Sequence, residues 1–239
     1  MGADATAVAG PVLIVDTATT RVVVALASLD GRVHARASWD AGYRHGETLL
    51  PAIERLLADE RVDRSTLSGL VVGTGPGAFT GLRVGIATTK GLAHGLQRPL
   101  VGVSTAEALL AGSARLGVPA DGDGARTRAP VLLLPAGPSD RIVVRPATGA
   151  VLLTGPDDPE LAPGEWLVAV DLDGRAPADA CARGAAARER LADDLALLGT
   201  ARLREGLEDD LAGLVPDYVT LPRGIVGERG EVAWSRDPR

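Results

Sequence analysis

The segment Val71–Gly85, which reads VVGTGPGAFTGLRVG, constrains the fold of this chain more than any other. An apolar strand end runs into a glycine-dense turn, and a helix with further glycines follows. Such a turn presents backbone N–H groups beside a helix N-terminus, which suits a bound anion or a closely approaching protein segment. The segment therefore predicts a strand-turn-helix unit whose glycines need either a ligand or a packing partner.

Two phosphate-binding motifs can be compared with this turn. A P-loop requires a lysine that the segment lacks. The looser dinucleotide motif Gly-x-Gly-x-x-Ala fits residues 73–78, but Pro76 removes a donor and no acidic residue follows about 20 positions later. Two interpretations stay open: a weak anion site with Gly75, Gly77 and Thr80 as candidates, or a tight turn without a ligand.

The composition narrows the class of protein. At 239 residues the chain suits one large domain or two small lobes, and with 3% aromatic residues its core must use Ala, Val and Leu. A net charge of −6 argues against broad attraction to nucleic acid or to an anionic membrane.

Cys181 is the single cysteine, which excludes an internal disulfide and Cys-rich metal sites and fits a reducing cytosol. Residues 1–10 lack the features of a signal peptide, and no apolar run reaches the ~20 residues of a membrane span. We therefore expect a cytoplasmic protein without a membrane partner.

The first half of the chain reads as βββαβαβα. Asp30-Gly31 marks a hairpin turn, and Pro51 must lie in the first turn of its helix. The predicted strands are Val12–Val15, Arg21–Ser28, Arg32–Trp39, Leu70–Gly73 and Leu100–Ser104, and the predicted helices are Glu47–Glu60, Phe79–Leu96 and Thr105–Leu116.

The second half repeats strands and helices less clearly after a loop at Pro119–Pro130. Its predicted strands are Val131–Leu134, Arg141–Arg145, Ala150–Thr154 and Trp166–Val170, and its predicted helices are Pro177–Leu198 and Arg202–Ala212. We expect a flexible N-terminal extension (1–10), a first lobe (11–106), a divergent second lobe (107–221) and a C-terminal tail (222–239).

Four segments in this order resemble one known family. Asp16-Thr17-Ala18-Thr19 ends the first strand, and His45-Gly46-Glu47-Thr48-Leu49-Leu50-Pro51 opens the first helix. Gly75-Pro76-Gly77-Ala78-Phe79-Thr80-Gly81-Leu82-Arg83 and Val101-Gly102-Val103-Ser104-Thr105 follow. Together they resemble the TsaB (YeaZ) family of bacterial tRNA threonylcarbamoyladenosine biosynthesis proteins over Val12–Ala108, and Pro216-Asp217-Tyr218-Val219 resembles its C-terminal Pro-x-Tyr segment more weakly.

The resemblance implies an α/β fold of the actin-like (ASKHA) type, with two lobes that each hold a mixed sheet and flanking helices. It also implies a non-catalytic scaffold or activator without a cofactor. Its partner would be a TsaD-type threonylcarbamoyltransferase, which modifies adenosine next to the anticodon of tRNAs. A TsaE-type ATPase would join them, tRNA would be met only through the complex, and the chain alone would form a homodimer.

In that family the first two helices form the contact with TsaD or with a second copy. Gly81 and Gly85, like Gly91 and Gly95, are four residues apart on the second helix and leave smooth patches. The alternative is that this side packs on the chain's own sheet, and Phe79 is equally an interface anchor or a core residue. The interface candidates are small or apolar residues of the two helices: Leu49, Leu50, Ile53, Leu57, Phe79, Leu82, Gly85, Ile86 and Thr89.

The residues predict no catalytic group and no metal site. Asp16 ends the first strand as in actin-fold kinases, but Ala18 replaces the glycine that approaches phosphate there. The second lobe offers Leu134-Pro135-Ala136-Gly137 where a second acid would be expected. TsaD-type enzymes carry His-x-x-x-His, whereas His45 is followed four residues later by Leu49. Two alternatives remain: an actin-fold ATPase or kinase that uses Asp16 and the glycine turn, and a self-associating homodimer with a regulatory or peptidase-like role.

Overall fold

A computed structural model describes residues 10–42, 44–117 and 129–219, together with the backbone of the short antiparallel pair β10 (Ile225–Val226) and β11 (Val232–Ala233). The predicted N-terminal extension and most of the connecting loop and of the tail lie outside the described residues.

The first sheet has five strands in the order β3-β2-β1-β4-β5. β1 (Val12–Asp16), β2 (Arg21–Ala27) and β3 (Val33–Asp40) are antiparallel, as predicted, and β4 (Gly69–Gly73) and β5 (Leu100–Val103) continue in parallel from β1. β1 is buried on both faces, with Leu13 and Val15 in one core cluster and Val12 and Ile14 in another. A continuous apolar run is what a central strand covered on both sides requires.

Helices α1 (His45–Asp59) and α2 (Phe79–Leu96) cover one face of this sheet. The helix α1 begins two residues before its predicted start, so Pro51 lies inside the helix in its second turn, and the expectation that it must lie in the first turn was wrong. Leu49 and Ile53 point into the core that α1 shares with β1 and β2. An amphipathic stripe at helical spacing thus attaches α1 to the sheet.

The second sheet has four strands in the order β8-β7-β6-β9. Its strands are β6 (Ala129–Pro135), β7 (Arg141–Arg145), β8 (Gly149–Leu153) and β9 (Glu165–Ala169), with β6 and β9 parallel and the other pairs antiparallel. This order repeats the first four strands of the first sheet.

The two sheets enclose a layer of helices. Helix α3 (Thr105–Leu116) and helix α5 (Leu191–Arg204) lie between the two sheets, where Leu109 and Leu195 share one core with residues of both. Helix α4 (Ala178–Glu189) packs along the outer strand β9, where its Ala180 joins the core on the far face of the second sheet and its Ala187 joins the core between the sheets. Two lobes of mixed sheet with flanking helices are the arrangement expected of the actin-like fold, and that prediction is confirmed.

Two predictions about the C-terminal third were wrong. The helix expected over Pro177–Leu198 is two helices, α4 and α5, that meet at Arg190. No helix continues to Ala212, because α5 ends at Arg204 and Gly206 follows with a φ of 73°, a left-handed conformation that stops a helix. Helix α5 also packs on the first sheet, although the division at residue 106 assigns it to the second lobe.

Candidate functional site

The turn between β1 and β2 lies directly on the glycines of α2. The Thr17 hydroxyl donates to the Gly81 carbonyl at 2.8 Å. A Cβ on Gly81 would lie 2.2 Å from the Thr17 carbonyl oxygen, and one on Gly85 would lie 2.2 Å from Thr17 Oγ1. Because real Cβ contacts are never that short, these two glycines are needed for packing within the chain. For Gly81 and Gly85 this side therefore packs within the chain, on the β1–β2 turn rather than on the sheet itself.

The three candidates for a weak anion site lie at the start of α2 in different environments. The Gly75 N–H donates to Thr105 Oγ1 at 3.1 Å, and a Cβ on Gly77 would lie 2.1 Å from the Ala18 carbonyl oxygen. Thr80 is exposed, and it does not cap the helix, because Ala78 is the N-cap residue. The turn is thus occupied largely by the chain's own backbone.

Asp16 is buried at the end of β1 and bonded within the first lobe. Its Oδ1 accepts from the Ala18 N–H at 3.0 Å, and its Oδ2 accepts from the Thr105 hydroxyl at 2.6 Å. Burial raises the pKa of the Asp16 carboxyl to about 6, and the two hydrogen bonds oppose that rise. Asp16 therefore ties β1 to the start of α3, and its oxygens face protein donors.

A cleft of about 740 Å³ separates the two lobes at this point. Ala18 and Gly77 line it from the first lobe, and the β6–β7 turn lines it from the second. Asp140 and Asp171 contribute carboxylates, and no Lys or Arg lines it among the described residues. Phosphate sites commonly use cationic side chains or free backbone donors, so the described lining suits a nucleotide phosphate poorly.

Asp171 joins the lobes across this cleft, which the sequence did not predict. Its carboxylate accepts from the Thr20 N–H and hydroxyl, both at 2.7 Å, and pairs with Arg188 at 2.5 Å. The side chain is 5% exposed. A carboxylate two residues after a strand, here β9, was the available signal, but its partner Thr20 is 151 positions away.

The C-terminal segment 216–219 lies along the glycine turn. The Thr74 hydroxyl donates to Asp217 at 2.6 Å, and the Arg83 Nε donates to the Tyr218 hydroxyl at 2.8 Å. The Arg83 guanidinium lies 3.9 Å from the centre of the Phe79 ring, which itself is 5.2 Å from the Tyr218 ring. Half-buried Phe79 thus holds this segment, a third role beside the two that the sequence suggested.

Most of the predicted interface residues face the interior. Leu50 alone is exposed, at 43%, and Phe79 is half-buried. The other seven are buried, because they form the stripe that attaches α1 and α2 to the sheet and to the β1–β2 turn: Leu49, Ile53, Leu57, Leu82, Gly85, Ile86 and Thr89. Buried side chains cannot bind a partner without rearrangement, so the available surface is the outer side of the helices.

We call this outer side the helix face and define it by Leu50, Glu54, Ala87, Gly91 and Gly95, which are all exposed. A Cβ on Gly91 or Gly95 would have no atom of the described residues within 4 Å, other than those of its own helix backbone. Small residues at positions 87, 91 and 95 recur at four-residue spacing, which keeps them on one side of α2. The second glycine pair of the sequence prediction is therefore open to a partner, unlike the first.

Within the described residues, no three His, Cys, Asp or Glu side chains group in a way that could hold a metal ion. No helix in that same part of the chain is long and apolar enough to cross a membrane.

Comparisons with known proteins agree with this architecture. Residues 39–144 match the family model described as TsaD, tRNA N6-adenosine threonylcarbamoyltransferase. The tRNA threonylcarbamoyladenosine biosynthesis protein TsaB of Escherichia coli is 36% identical over 104 residues, or 44% of each chain. The Bacillus subtilis protein of the same name is 33% identical over 42% of this chain and 43% of its own length.

These alignments span less than half the length of the curated relatives. A solved structure of YeaZ from Pseudomonas aeruginosa extends the likeness, with a TM-score of 0.61 and 25% identity over 87% of this chain and 99% of that one. The first-lobe motifs, the curated relatives and the shared two-lobe architecture agree with one another: the chain is similar to the TsaB (YeaZ) proteins.

Proposed function

We propose that this chain is a non-catalytic scaffold subunit in the biosynthesis of threonylcarbamoyladenosine in tRNA, and that it binds a TsaD-type enzyme through the helix face. The relatives named TsaB carry that pathway in their names, and the family model that matches residues 39–144 describes the transferase itself. A scaffold whose sequence resembles that of its enzyme is what we expect if the two subunits are related and contact each other through equivalent helices.

The open helix face is the observation that carries the proposal. Glycines at 91 and 95 cost roughly 0.5–1 kcal/mol each relative to Ala in a helix interior, and neither has a packing role among the described residues. Close approach of a second helix would give these two glycines a packing role, because a missing Cβ lets two helix backbones pack tightly. Exposed Leu50 on the neighbouring α1 adds apolar area to the same side.

A non-catalytic role is supported by the groups around the cleft. Asp16 is buried and bonded to Ala18 and Thr105, and Asp171 is paired with Arg188. Phosphoryl transfer in this fold needs carboxylates that hold a metal at the phosphates. With net charge −6, direct tRNA binding by this chain also has little electrostatic support, so we propose that tRNA is met through the complex.

The test is co-purification with the TsaD-type enzyme of the same organism. Gly91→Arg adds a long side chain to the helix face, and we expect it to lower recovery of the enzyme at least tenfold. Ala185→Arg, at an exposed alanine of α4, is the matched control and should leave recovery unchanged. In a strain that depends on this chain, Gly91→Arg should lower the threonylcarbamoyladenosine content of tRNA, whereas Ala185→Arg should leave it unchanged. Nucleoside mass spectrometry measures this content.

Undiminished recovery with Gly91→Arg would reject the helix face as the binding surface. Titration of the chain alone with Mg-ATP addresses the rival ATPase or kinase function. Tight binding with turnover would overturn the non-catalytic assignment.

A further inference from the structure

The four outer strands of the two sheets are protected to different degrees. An unpaired strand edge offers free N–H and C=O groups to any other chain, so proteins cover such edges or place charges on them. The outer strand β3 carries His34, Arg36 and Asp40, and Arg36 pairs with Asp193 at 3.0 Å. Charge thus protects this edge.

Asp209 and Arg183 cover the edges of β5 and β9. The Asp209 carboxylate accepts from the Gly102 N–H at 2.7 Å, and the Asp209 N–H donates to the Leu100 carbonyl at 2.9 Å. On β9 the Arg183 Nε donates to the Leu167 carbonyl at 2.7 Å. These contacts use the groups that would otherwise pair with another strand.

The edge of β8 has neither form of protection. Its sequence GAVLL holds no charge and no proline, and Val151 and Leu152 are 59% and 39% exposed. Its inner side pairs with β7, and within the described part of the chain its outer side has no hydrogen-bond partner. An exposed apolar edge of this kind is a docking site for another strand.

We propose that β8 pairs antiparallel with β8 of a second copy of this chain, which joins the two second-lobe sheets into one. Five residues centred on Val151 are self-complementary about a two-fold axis, as an isologous contact requires. Val151 then opposes itself and Ala150 opposes Leu152, so every pair is apolar and no like charges meet. This surface lies on the second lobe and is independent of the helix face.

Cross-linking tests the register. In a Cys181→Ala, Gly91→Arg background, which removes the native thiol and blocks the helix face, Val151→Cys places two thiols directly opposite each other. Opposed residues in an antiparallel pair have Cα atoms about 4.5–5.5 Å apart, within disulfide range. We expect Val151→Cys to form a covalent dimer at least tenfold faster than Ala150→Cys. A mixture of the Ala150→Cys and Leu152→Cys variants should form the dimer at the fast rate, because residues 150 and 152 oppose each other in the proposed register.

Sedimentation of the same background without added cysteines gives a second readout. We expect a concentration-dependent dimer that Val151→Lys converts to monomer and Val151→Thr retains. Equal cross-linking at positions 150 and 151, or a monomer at all concentrations, would overturn the proposal. Dimer formation that appears only after deletion of residues 222–239 would assign the β8 edge to the chain's own tail and would overturn it as well.

Discussion

The two lobes use the same strand order but cover it differently. In the first lobe the third and fourth strands are joined by α1, whose 15 residues shield the sheet. In the second lobe the corresponding link is a loop after β8, held down by arginines of β7. A helix provides an outer surface that a partner can bind, whereas a loop leaves the neighbouring strand edge open. One sheet topology can therefore carry two kinds of interaction surface.

The largest expected effect concerns the loop that replaces the helix. Arg141 is 1% exposed, pairs with Asp158 at 2.7 Å and donates to the carbonyls of Gly155, Asp157 and Arg175. Arg141→Met leaves these acceptors without a donor, and we expect a loss of about 2–4 kcal/mol of unfolding free energy, since each buried unsatisfied group costs about 1–3 kcal/mol.

Urea denaturation measures this loss, and limited proteolysis of the 155–164 loop shows where it acts. The comparison variant is Arg145→Met, which should cost less, because Arg145 is more exposed and bonds to the Glu165 carboxylate and to a single loop carbonyl, that of Glu160. Equal losses for both variants would show that the loop does not depend on the buried guanidinium.

The ends of the first strands differ between the lobes as well. β1 ends at buried Asp16, and β6 ends at Pro135. The folded-state pKa of Asp16, about 6, lies above the unfolded value of 3.8, so its stabilising contribution is complete below about pH 3.8 and is lost as pH rises through 6. Relative to Asp16→Asn, the wild type should lose on the order of 3 kcal/mol between pH 4 and pH 7.

Chemical denaturation of both proteins across this range gives the difference directly, because other titrating groups cancel. Parallel stability curves would mean that Asp16 titrates normally in the folded chain.

The helix glycines of the two lobes can also be compared, because in each lobe one glycine lets a helix pack closely against the backbone of a neighbouring segment. A Cβ on Gly81 of α2 would lie 2.2 Å from the Thr17 carbonyl oxygen, and one on Gly184 of α4 would lie 1.8 Å from that of Ala169. Gly81→Ala and Gly184→Ala should each cost about 1–3 kcal/mol through overpacking.

Calorimetry distinguishes how the lobes respond. Because α3 and α5 share one core with both sheets, we expect a single transition that both variants lower. Two separate transitions, each shifted by one variant, would show that the lobes unfold independently.

Much of the first lobe could be predicted from sequence because its signals are local. The Asp30-Gly31 turn, the apolar strands and the stripe of α1 each act within a few residues. The sequence could not show that Thr17 fills the space over Gly81 and Gly85, because that contact joins residues 64 positions apart. A helical stripe of small and apolar residues looks the same whether it faces a partner or the chain's own turn. The lobe boundary at residue 106 stays a prediction.

The smallest expected effect separates folding from binding on the helix face. Gly91 has no atom of the described residues within 4 Å of its Cβ position, other than those of its own helix backbone, so Gly91→Ala should raise the unfolding free energy by about 0.5–1 kcal/mol, the usual preference for Ala over Gly in a helix. Gly91→Arg should raise it as well, since Arg is a good helix former. Thermal unfolding gives the sign for both variants. If Gly91→Arg stabilises the chain and still prevents co-purification of the TsaD-type enzyme, the loss comes from a blocked surface. A destabilised Gly91→Ala would instead show that position 91 packs inside the chain, in the way Gly81 does, and the contrast between the two glycine pairs of α2 would fail.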